Sequence, residues 1–328
     1  MKPFEYVRPE GLEHAVQLVG DTGDYIAGGT NQLDLMKLRV HTPERLVDLN
    51  AVPLGGISEH EGGLRLGALV TNAATAADPR VRADYPLLAR AILAGASPQL
   101  RNMATNGGNL CQRTRCTYFQ DPRHPCNKRD PGSGCGALGG VNRNHAILGT
   151  SDACIATYPG DMAIALAALD AVVQLAGGKD GARSVSARDF HRLPGDTPQF
   201  DNVMEPGEII TAIDLPAPVG GAQLYRKVRE RSSYAFALVS VAAAVRMEEG
   251  RIAHASLACG GVAHKPWHLP AVDAALTGAE PSNELFEECA DMMLDGAEGF
   301  GGNDFKIPLL RRAVIATLRE ATDKKDAA

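Results

Sequence analysis

The chain has 328 residues, in which 39 Asp and Glu outnumber 33 Lys and Arg and give a formal net charge of −6. Apolar residues make up 45% of the sequence, enough to form buried cores, which excludes an intrinsically disordered chain. The acidic balance argues against nucleic acid as a partner, because phosphate backbones bind basic surfaces. The sequence contains no run of about 18 apolar residues, the length that a membrane-spanning helix needs.

The first 110 residues alternate between helical and strand patterns, which is typical of an α/β region. The hydrophobic spacing predicts helices over 11–19, 33–38, 72–78 and 85–95, and strands over 25–27, 45–49 and 64–69.

Two glycine pairs lie in this region. The first is in Ala27-Gly28-Gly29-Thr30-Asn31, directly after a predicted strand, and the second is in Thr105-Asn106-Gly107-Gly108-Asn109. Consecutive glycines let several backbone N–H groups converge on an anion such as a pyrophosphate. Neither stretch matches the G-x-G-x-x-G fingerprint or the P-loop, which disfavours a Rossmann dinucleotide domain and a P-loop NTPase. A plain turn is the alternative for each pair taken alone.

The cysteines are unevenly distributed. Five of the seven fall within one short stretch, at Cys111, Cys116, Cys126, Cys135 and Cys154. The segment 111–145 has three prolines, five glycines and almost no periodicity, which is typical of a long functional or disordered loop. Six basic residues oppose two acidic ones there, within an acidic protein. Cys259 and Cys289 lie in apolar surroundings and are predicted core residues.

The spacing of the clustered cysteines disfavours some classes of metal and redox site and allows others. Nine, eight and eighteen residues separate Cys116, Cys126, Cys135 and Cys154. No Cys-x-x-Cys pair is present, which disfavours zinc ribbons and redox dithiols. Four widely spaced thiolates can hold a 4Fe–4S cluster, and basic side chains in the loop would offset its negative charge. Zinc and incidental surface thiols are the alternatives, and the spacing allows Cys111 to replace Cys116. The histidines in 264–268 flank the only tryptophan and are predicted to pack rather than bind metal.

After the cysteine loop the pattern becomes regular again. It predicts helices over 161–171, 283–297 and 306–320, and strands over 172–175, 208–215, 222–229, 236–247 and 252–259. The Pro- and Gly-rich stretch 216–221 is the predicted domain boundary. We therefore predict an α+β chain with an N-terminal domain over 1–220, carrying the insertion 111–154. A C-terminal α+β domain over 221–328 would consist of a three-stranded sheet with helices.

These motifs are similar to those of the FAD-binding medium subunit of the molybdenum hydroxylases, the xanthine dehydrogenase and aldehyde oxidoreductase family. The resemblance covers nearly the whole chain and rests on the two glycine loops and three further motifs. These are Tyr158-Pro159-Gly160-Asp161, Tyr225-Arg226-Lys227-Val228-Arg229 and Gly260-Gly261-Val262-Ala263-His264-Lys265-Pro266-Trp267. The cysteine insertion resembles that of bacterial three-subunit periplasmic aldehyde oxidoreductases, whose medium subunit carries a 4Fe–4S cluster beside FAD.

The resemblance implies a two-subdomain FAD-binding fold of the vanillyl-alcohol-oxidase (PCMH) type and a C-terminal domain of the CO-dehydrogenase flavoprotein type. It implies a heterotrimer with a large molybdenum-cofactor subunit and a small 2Fe–2S subunit. The chain would pass electrons from the 2Fe–2S subunit through FAD to an external acceptor in a molybdenum-dependent aldehyde oxidoreductase, with no catalytic residue beyond FAD. A purine hydroxylase of the xanthine dehydrogenase type, a stand-alone FAD oxidase and a zinc-stabilised binding module are the alternatives.

Residue by residue, the resemblance implies FAD contacts in the glycine loops and at three positions beyond them. The loop positions are Ala27, Gly28, Gly29, Thr30, Asn31, Leu33, Thr105, Gly107, Gly108 and Asn109. Asp161 matches an acid near the FAD hydroxyls, Ile210 an apolar residue beside the flavin ring, and Lys227 a lysine near that ring. Without the resemblance, Asp161 is a favourable helix N-terminal acid, Ile210 a core residue and Lys227 a solvated strand residue. The implied cluster ligands are Cys116, Cys126, Cys135 and Cys154.

The first ten residues contain Glu5 and Glu10 and lack the apolar core of a signal peptide. We expect the chain to assemble in the cytoplasm. Export of the folded chain with a partner that carries a twin-arginine signal is the alternative.

Overall fold

The computed structural model describes residues 1–179 and 181–323. Its helices are α1 (Leu12–Val19), α2 (Gln32–Lys37), α3 (Asn72–Ala77), α4 (Pro79–Asp84), α5 (Pro86–Ala94), α6 (Pro98–Arg101), α7 (Asn106–Leu110), α8 (Thr117–Gln120), α9 (Asp161–Ala168), α10 (Ala187–Phe190), α11 (Pro270–Leu276), α12 (Asn283–Met293) and α13 (Lys306–Asp323). Its strands are β1 (Glu5–Val7), β2 (Gly23–Ile26), β3 (Arg45–Asp48), β4 (Ile57–His60), β5 (Gly63–Gly67), β6 (Val172–Ala176), β7 (Arg183–Ser186), β8 (Ile209–Leu215), β9 (Ala222–Val228), β10 (Val239–Glu248), β11 (Arg251–Gly260) and β12 (Trp267–His268). Positions 324–328 of the predicted C-terminal domain lie outside the described residues.

The first sheet is parallel and has β3 between β1 and β2. Helix α1 packs on it through Ala15 and Val19, which join Val47 of β3 in one buried cluster. Strand β2 ends at Ile26, so the first glycine loop leaves the sheet at its carboxyl edge. Loops at this edge of parallel sheets are common ligand sites, since the strand ends converge there.

The second sheet is antiparallel and has the strand order β4-β5-β8-β6-β7. Helix α9 lies in the core beside it, and every residue of this helix is buried. The second glycine loop forms the short helix α7, which is held against the sheet region by the bond from Gly107 N–H to Ala68 O (2.9 Å). The two glycine loops therefore come from different sheets.

The third sheet is antiparallel, with the order β12-β11-β10-β9. One face packs under α12 and α13 in a core that includes Val241, Leu257, Cys289 and Val314. Alanines on the other face join the core of α9 and the second sheet. The chain on the two sides of the stretch 216–221 is therefore packed together by a continuous apolar core.

The sequence predicted most long elements and missed several short ones. The C-terminal sheet has four strands rather than the predicted three, because β12 consists of only two residues and has no readable period. Strands β1, β4 and β7 and helix α11 were also missed, since three to seven residues give little hydrophobic periodicity. In the part of the chain that the structure describes, no helix is both long and apolar enough to cross a membrane.

Candidate cofactor site

The two glycine loops meet around one opening, which we call the glycine-loop cleft. It is lined by Ala27, Gly28, Gly29, Thr30 and Asn31 of the first loop, Thr105 and Gly108 of the second, and the following residues Cys111, Gln112 and Arg113. The loops are about 80 positions apart in the sequence, so only the packing of the two sheets brings them together. Both loops therefore line one opening, and their contact with FAD stays a prediction.

The first loop offers free backbone donors to this cleft. The N–H groups of residues 28 to 31 donate to no acceptor within residues 1–179 and 181–323. The side chain of Asn31 is already engaged, since its Oδ1 accepts from Arg113 N–H at 2.8 Å. Several unpaired N–H groups along one cleft form a cradle suited to phosphate oxygens. The loop therefore fits the pyrophosphate of a dinucleotide.

Gly28 is required by the close approach of the two loop regions. A Cβ atom at this position would lie 1.9 Å from Met103 O, on the segment that leads into the second loop. Gly29 has φ +68, a conformation that side chains with a Cβ rarely adopt. Leu33 packs beneath it, with Cδ1 at 3.2 Å from the position of a Cβ. Leu33 thus supports the loop from below and is not among the residues that line the cleft.

The second loop differs from the expectation that its glycines present free donors. Gly107 N–H donates to Ala68 O and Gly108 N–H to Thr105 Oγ1, at 2.9 and 3.2 Å. Gly107 serves close packing, because a Cβ there would lie 3.2 Å from the Ala68 Cβ and 3.5 Å from the Ile210 Cβ. Ile210 is accordingly buried behind the loop and does not line the clefts described here. This loop contributes shape and side chains rather than backbone donors.

A second opening continues from the first and is called the Asp161 cleft. It shares Thr30 and Gln112 with the glycine-loop cleft and extends to Asn109, Asp161 and Lys227. The side chain of Asn109 is oriented by Asn72, whose Oδ1 accepts from Asn109 Nδ2 at 2.7 Å. The sequence analysis missed several residues that line this cleft, which are Asn72, Arg115, Tyr234 and Phe236. Exposed aromatics in a loop were the one signal that could have indicated Tyr234 and Phe236.

Asp161 and Lys227 form a buried ion pair in the wall of the Asp161 cleft. Lys227 Nζ lies 2.9 Å from Asp161 Oδ2, and their side chains are only 5% and 8% exposed. Tyr225 donates its hydroxyl to Asp161 Oδ1 at 2.6 Å, and Lys227 also donates to Ala94 O at 3.0 Å. Reading Lys227 as a solvated strand lysine is therefore wrong, because strand β9 faces the buried start of α9. Asp161 is the acid in the first turn of α9 and also lines the Asp161 cleft, and its contact with FAD stays a prediction.

The four widely spaced cysteines line one small internal space, called the cysteine cavity. Its wall includes Cys116, Cys126, Cys135 and Cys154, together with Thr114, Lys128 and His145. Within the described residues, no group of three or more His, Cys, Asp or Glu side chains is arranged to hold a metal ion. Four thiols nevertheless surround this common space. Lys128 is the one of the six basic side chains of the loop 111–145 that lines it.

The cysteine loop is ordered by specific hydrogen bonds, although it has little regular structure. Asn127 Oδ1 accepts from the N–H groups of Gly132 and Gly134, at 3.1 and 2.8 Å. Asn127 Nδ2 donates to Ala153 O at 3.0 Å, which holds this turn against the residue before Cys154. Both glycines have positive φ values of +91 and +96, so the turn requires residues without a Cβ. This turn lies between Cys126 and Cys135 and is held beside Cys154.

Burial affects the protonation of the cavity thiols. It raises the pKa of Cys116 to about 11 and that of Cys154 to about 12. Both are therefore neutral thiols at physiological pH when no cation is bound. Metal binding would release their protons, because the thiolate is the ligand form.

Asp201 ties the cysteine loop to the body of the protein. Its two oxygens bind Lys128 Nζ at 2.7 Å and Arg113 Nε at 2.6 Å. Burial alone would raise the pKa of Asp201, but the charges of Lys128 and Arg113 outweigh it and lower that pKa to about 2. The Lys128 side chain is only 1% exposed, so its charge is almost fully removed from water.

A third opening, the Cys116 cleft, lies between the Asp161 cleft and the cysteine cavity. It shares Arg115, Asp161 and Phe236 with the first and Cys116 and His145 with the second. The guanidinium of Arg115 lies 5.4 Å from the ring centroid of Phe236. The glycine loops, the buried ion pair and the cysteines thus line a series of adjoining spaces.

The remaining cysteines and histidines lie elsewhere. Cys111 is exposed, lines the glycine-loop cleft and contacts Met204 Sδ at 3.8 Å, so it is not part of the cysteine cavity. Cys259 and Cys289 are buried in the C-terminal core, which confirms the prediction for both. His268 binds Asp273 at 2.7 Å, and Trp267 Nε1 donates to Met293 O at 3.0 Å. His264 instead faces the N-terminal domain, where its Nδ1 lies 2.7 Å from Arg192 O. The 264–268 segment therefore packs between the two parts of the chain.

Comparison with known families matches both halves of the chain. Residues 2–218 match the FAD-binding domain in molybdopterin dehydrogenase. Residues 223–300 match the C-terminal domain of the CO dehydrogenase flavoprotein. The chain therefore has the two domains of an FAD-binding flavoprotein of this family.

Individual relatives agree with this class. The chain is 50% identical to the aldehyde oxidoreductase FAD-binding subunit PaoB of Escherichia coli K12, over 98% of this chain and 99% of that protein. It is 27% identical to the carbon monoxide dehydrogenase medium chain of Afipia carboxidovorans, over 95% of each. Carbon monoxide dehydrogenase from Hydrogenophaga pseudoflava superposes with a TM-score of 0.75 at 27% identity, covering 98% of each chain. The chain belongs to the molybdenum hydroxylase family as its FAD-binding medium subunit, and it is an oxidoreductase flavoprotein of the aldehyde oxidoreductase type.

Proposed function

We propose that this chain is the FAD- and 4Fe–4S-binding electron-transfer subunit of a molybdenum-dependent aldehyde oxidoreductase. Its partners would be a large molybdenum-cofactor subunit and a small 2Fe–2S subunit that supplies electrons, and an external acceptor would take them from FAD. The observation that carries this proposal is the position of Cys116. Its side chain lines both the cysteine cavity and a cleft that adjoins Asp161 and Lys227.

An aldehyde is the substrate class that the relatives favour. The protein with 50% identity is named an aldehyde oxidoreductase subunit, whereas the carbon monoxide dehydrogenase chains are 26–27% identical. This supports an aldehyde as the substrate of the complex as a whole. The hydroxylation itself would take place on the large subunit, because this family divides its cofactors among chains.

The chain's own residues would bind and orient FAD. The unpaired N–H groups of residues 28–31 would donate to the pyrophosphate, and Asn109 would be held in place by Asn72. Lys227 and Asp161 would present a fixed pair of charges to the Asp161 cleft, and Tyr225 would fix the carboxylate orientation. When bound, the flavin supplies the exchange of electrons between donor and acceptor.

Four thiols around one cavity support a cluster rather than a single ion. The ligands of a 4Fe–4S cluster bind separate corners, so they do not converge on one point as the ligands of zinc do. The Ala156 N–H donates to Cys154 Sγ at 3.4 Å, and the buried Lys128 adds a positive charge beside the cavity. Both features would offset the negative charge of a bound cluster.

The test is the cofactor content of the full-length chain purified under anaerobic conditions. We expect stoichiometric FAD, four iron atoms with matching labile sulfide, and an electron paramagnetic resonance signal of a reduced 4Fe–4S cluster after dithionite. Stoichiometric zinc without iron would instead support a zinc-stabilised module. A protein that takes up neither iron nor flavin, even after reconstitution, contradicts the proposal.

A further inference from the structure

His145 makes a direct contact with one of the four cavity cysteines. Its Nε2 atom lies 3.1 Å from Cys116 Sγ, and the imidazole is buried. The two residues are 29 positions apart, so this contact is a product of the folded loop rather than of local geometry. His145 also lines both the cysteine cavity and the Cys116 cleft. It therefore stands at the boundary between the two spaces.

The backbone of His145 is fixed by the C-terminal part of the chain. Lys306 is fully buried and donates from Nζ to His145 O at 2.9 Å and to Gly261 O at 2.8 Å. Asn303 Nδ2 donates to the neighbouring Ala146 O at 2.8 Å. Burying a lysine is unfavourable, because its charge is removed from water. Lys306 is nevertheless buried with two bonds to backbone carbonyls, and one of them fixes the backbone of His145.

The chemistry of the two groups determines which one donates the hydrogen bond. A thiolate that binds iron can only accept a hydrogen bond, so the proton of the contact must be on His145 Nε2. Hydrogen bonds to the sulfurs of an iron–sulfur cluster are one of the protein's means of setting its reduction potential. Such a donor favours the reduced cluster, because reduction adds negative charge that the N–H dipole stabilises.

We propose that His145 is a positioning residue that donates its Nε2–H to Cys116 Sγ and thereby raises the reduction potential of the cluster bound by the four cysteines. This inference rests on the proposed function, since it requires that the cavity holds a 4Fe–4S cluster. Lys306 holds the backbone of His145 in place through its bond to His145 O.

The experiment compares three variants of the full-length chain with the wild type. His145→Leu removes the donor, His145→Gln keeps an N–H donor on a side chain of similar reach, and His254→Leu removes a histidine of strand β11. Iron, sulfide and FAD are measured first, and the cluster is then titrated with mediators while its reduced signal is recorded.

We expect His145→Leu to keep its iron and to shift the reduction equilibrium about tenfold toward the oxidised cluster, which is about 59 mV for one electron. His145→Gln should recover most of that shift, and His254→Leu should match the wild type. An unchanged potential in His145→Leu with full iron overturns the inference, as does loss of iron in both His145 variants, which would make His145 a ligand. Wild-type chain without iron would instead overturn the proposed function itself.

Discussion

Lys227 Nζ lies 2.9 Å from Asp161 Oδ2, although the two residues are 66 positions apart and belong to different domains of the predicted organisation. Asp161 begins helix α9, and Lys227 lies near the end of strand β9. Both side chains are almost completely removed from water, so each charge depends on the other for compensation. The pair therefore joins the C-terminal sheet to the wall of the Asp161 cleft.

Removing one partner of this ion pair should destabilise the protein strongly. Lys227→Met leaves the Asp161 carboxylate buried without a cation, which typically costs about 3–5 kcal/mol. We expect this loss in the free energy of unfolding from urea titration, together with a lower FAD content after purification.

The double variant Lys227→Met/Asp161→Asn is the matched control for that experiment. It removes both charges, so much of the lost stability should return, although the FAD content should stay low. Equal destabilisation in the single and double variants would contradict the idea that each charge compensates the other.

Gly28→Ala should separate the two loop regions. A Cβ at position 28 would lie 1.9 Å from Met103 O, and a backbone atom cannot move aside as a flexible side chain can. We expect a loss of about 1–3 kcal/mol from this overpacking, and reduced flavin absorbance in the purified protein. Gly55→Ala is the control, because a Cβ at that exposed position meets no atom within 4 Å.

Cysteine substitutions should separate the cavity ligands from the other thiols. Cys126→Ser removes a cavity cysteine and should lose the iron, and residues 111–154 should become more sensitive to proteolysis because metal binding stabilises that segment. Cys111→Ser should retain wild-type iron, since Cys111 lines the glycine-loop cleft instead. Cys289→Ser should also retain it. Wild-type iron in Cys126→Ser would contradict this ligand set.

Acid should weaken the attachment of the cysteine loop through Asp201. Its pKa is about 2 in the folded chain against an ordinary value of 3.8, so the unfolded chain takes up the proton first. The stabilisation is fully present above about pH 4 and is lost as the pH falls through about 2, with a size of roughly 2 kcal/mol. Urea titrations at several pH values in this range should show the loss.

Asp201→Asn tests the source of that pH dependence. The variant should be less stable at neutral pH, because Lys128 and Arg113 lose their carboxylate, but its stability should fall less between about pH 4 and 2. Glu298→Gln, which alters an exposed carboxyl, should keep the wild-type slope. A wild-type slope in Asp201→Asn would assign the acid sensitivity to other carboxyls.

Sequence patterns found the elements that are long or chemically unusual. Helix α9 and strands β8 to β11 have enough residues to show a hydrophobic period, and the glycine pairs and clustered cysteines are rare residue combinations. Strand β12 has two residues, so it has no period to detect. The pattern also treated the two glycine pairs alike, because it does not show which N–H groups are already bonded. Gly107 and Gly108 prove to be engaged within the protein, whereas the first loop is free to bind.

The sequence by itself determined the family and the α+β organisation, and it marked the five clustered cysteines as candidate ligands, because these features depend on residue type and order along the chain. Only the tertiary structure decided that Cys111 faces another cleft, that Lys227 is buried against Asp161, and that His145 contacts Cys116. These relationships join elements from different sheets and loops. Burial and contact depend on which distant parts of the chain pack together. The spacing of residues along the sequence does not give their distance in space.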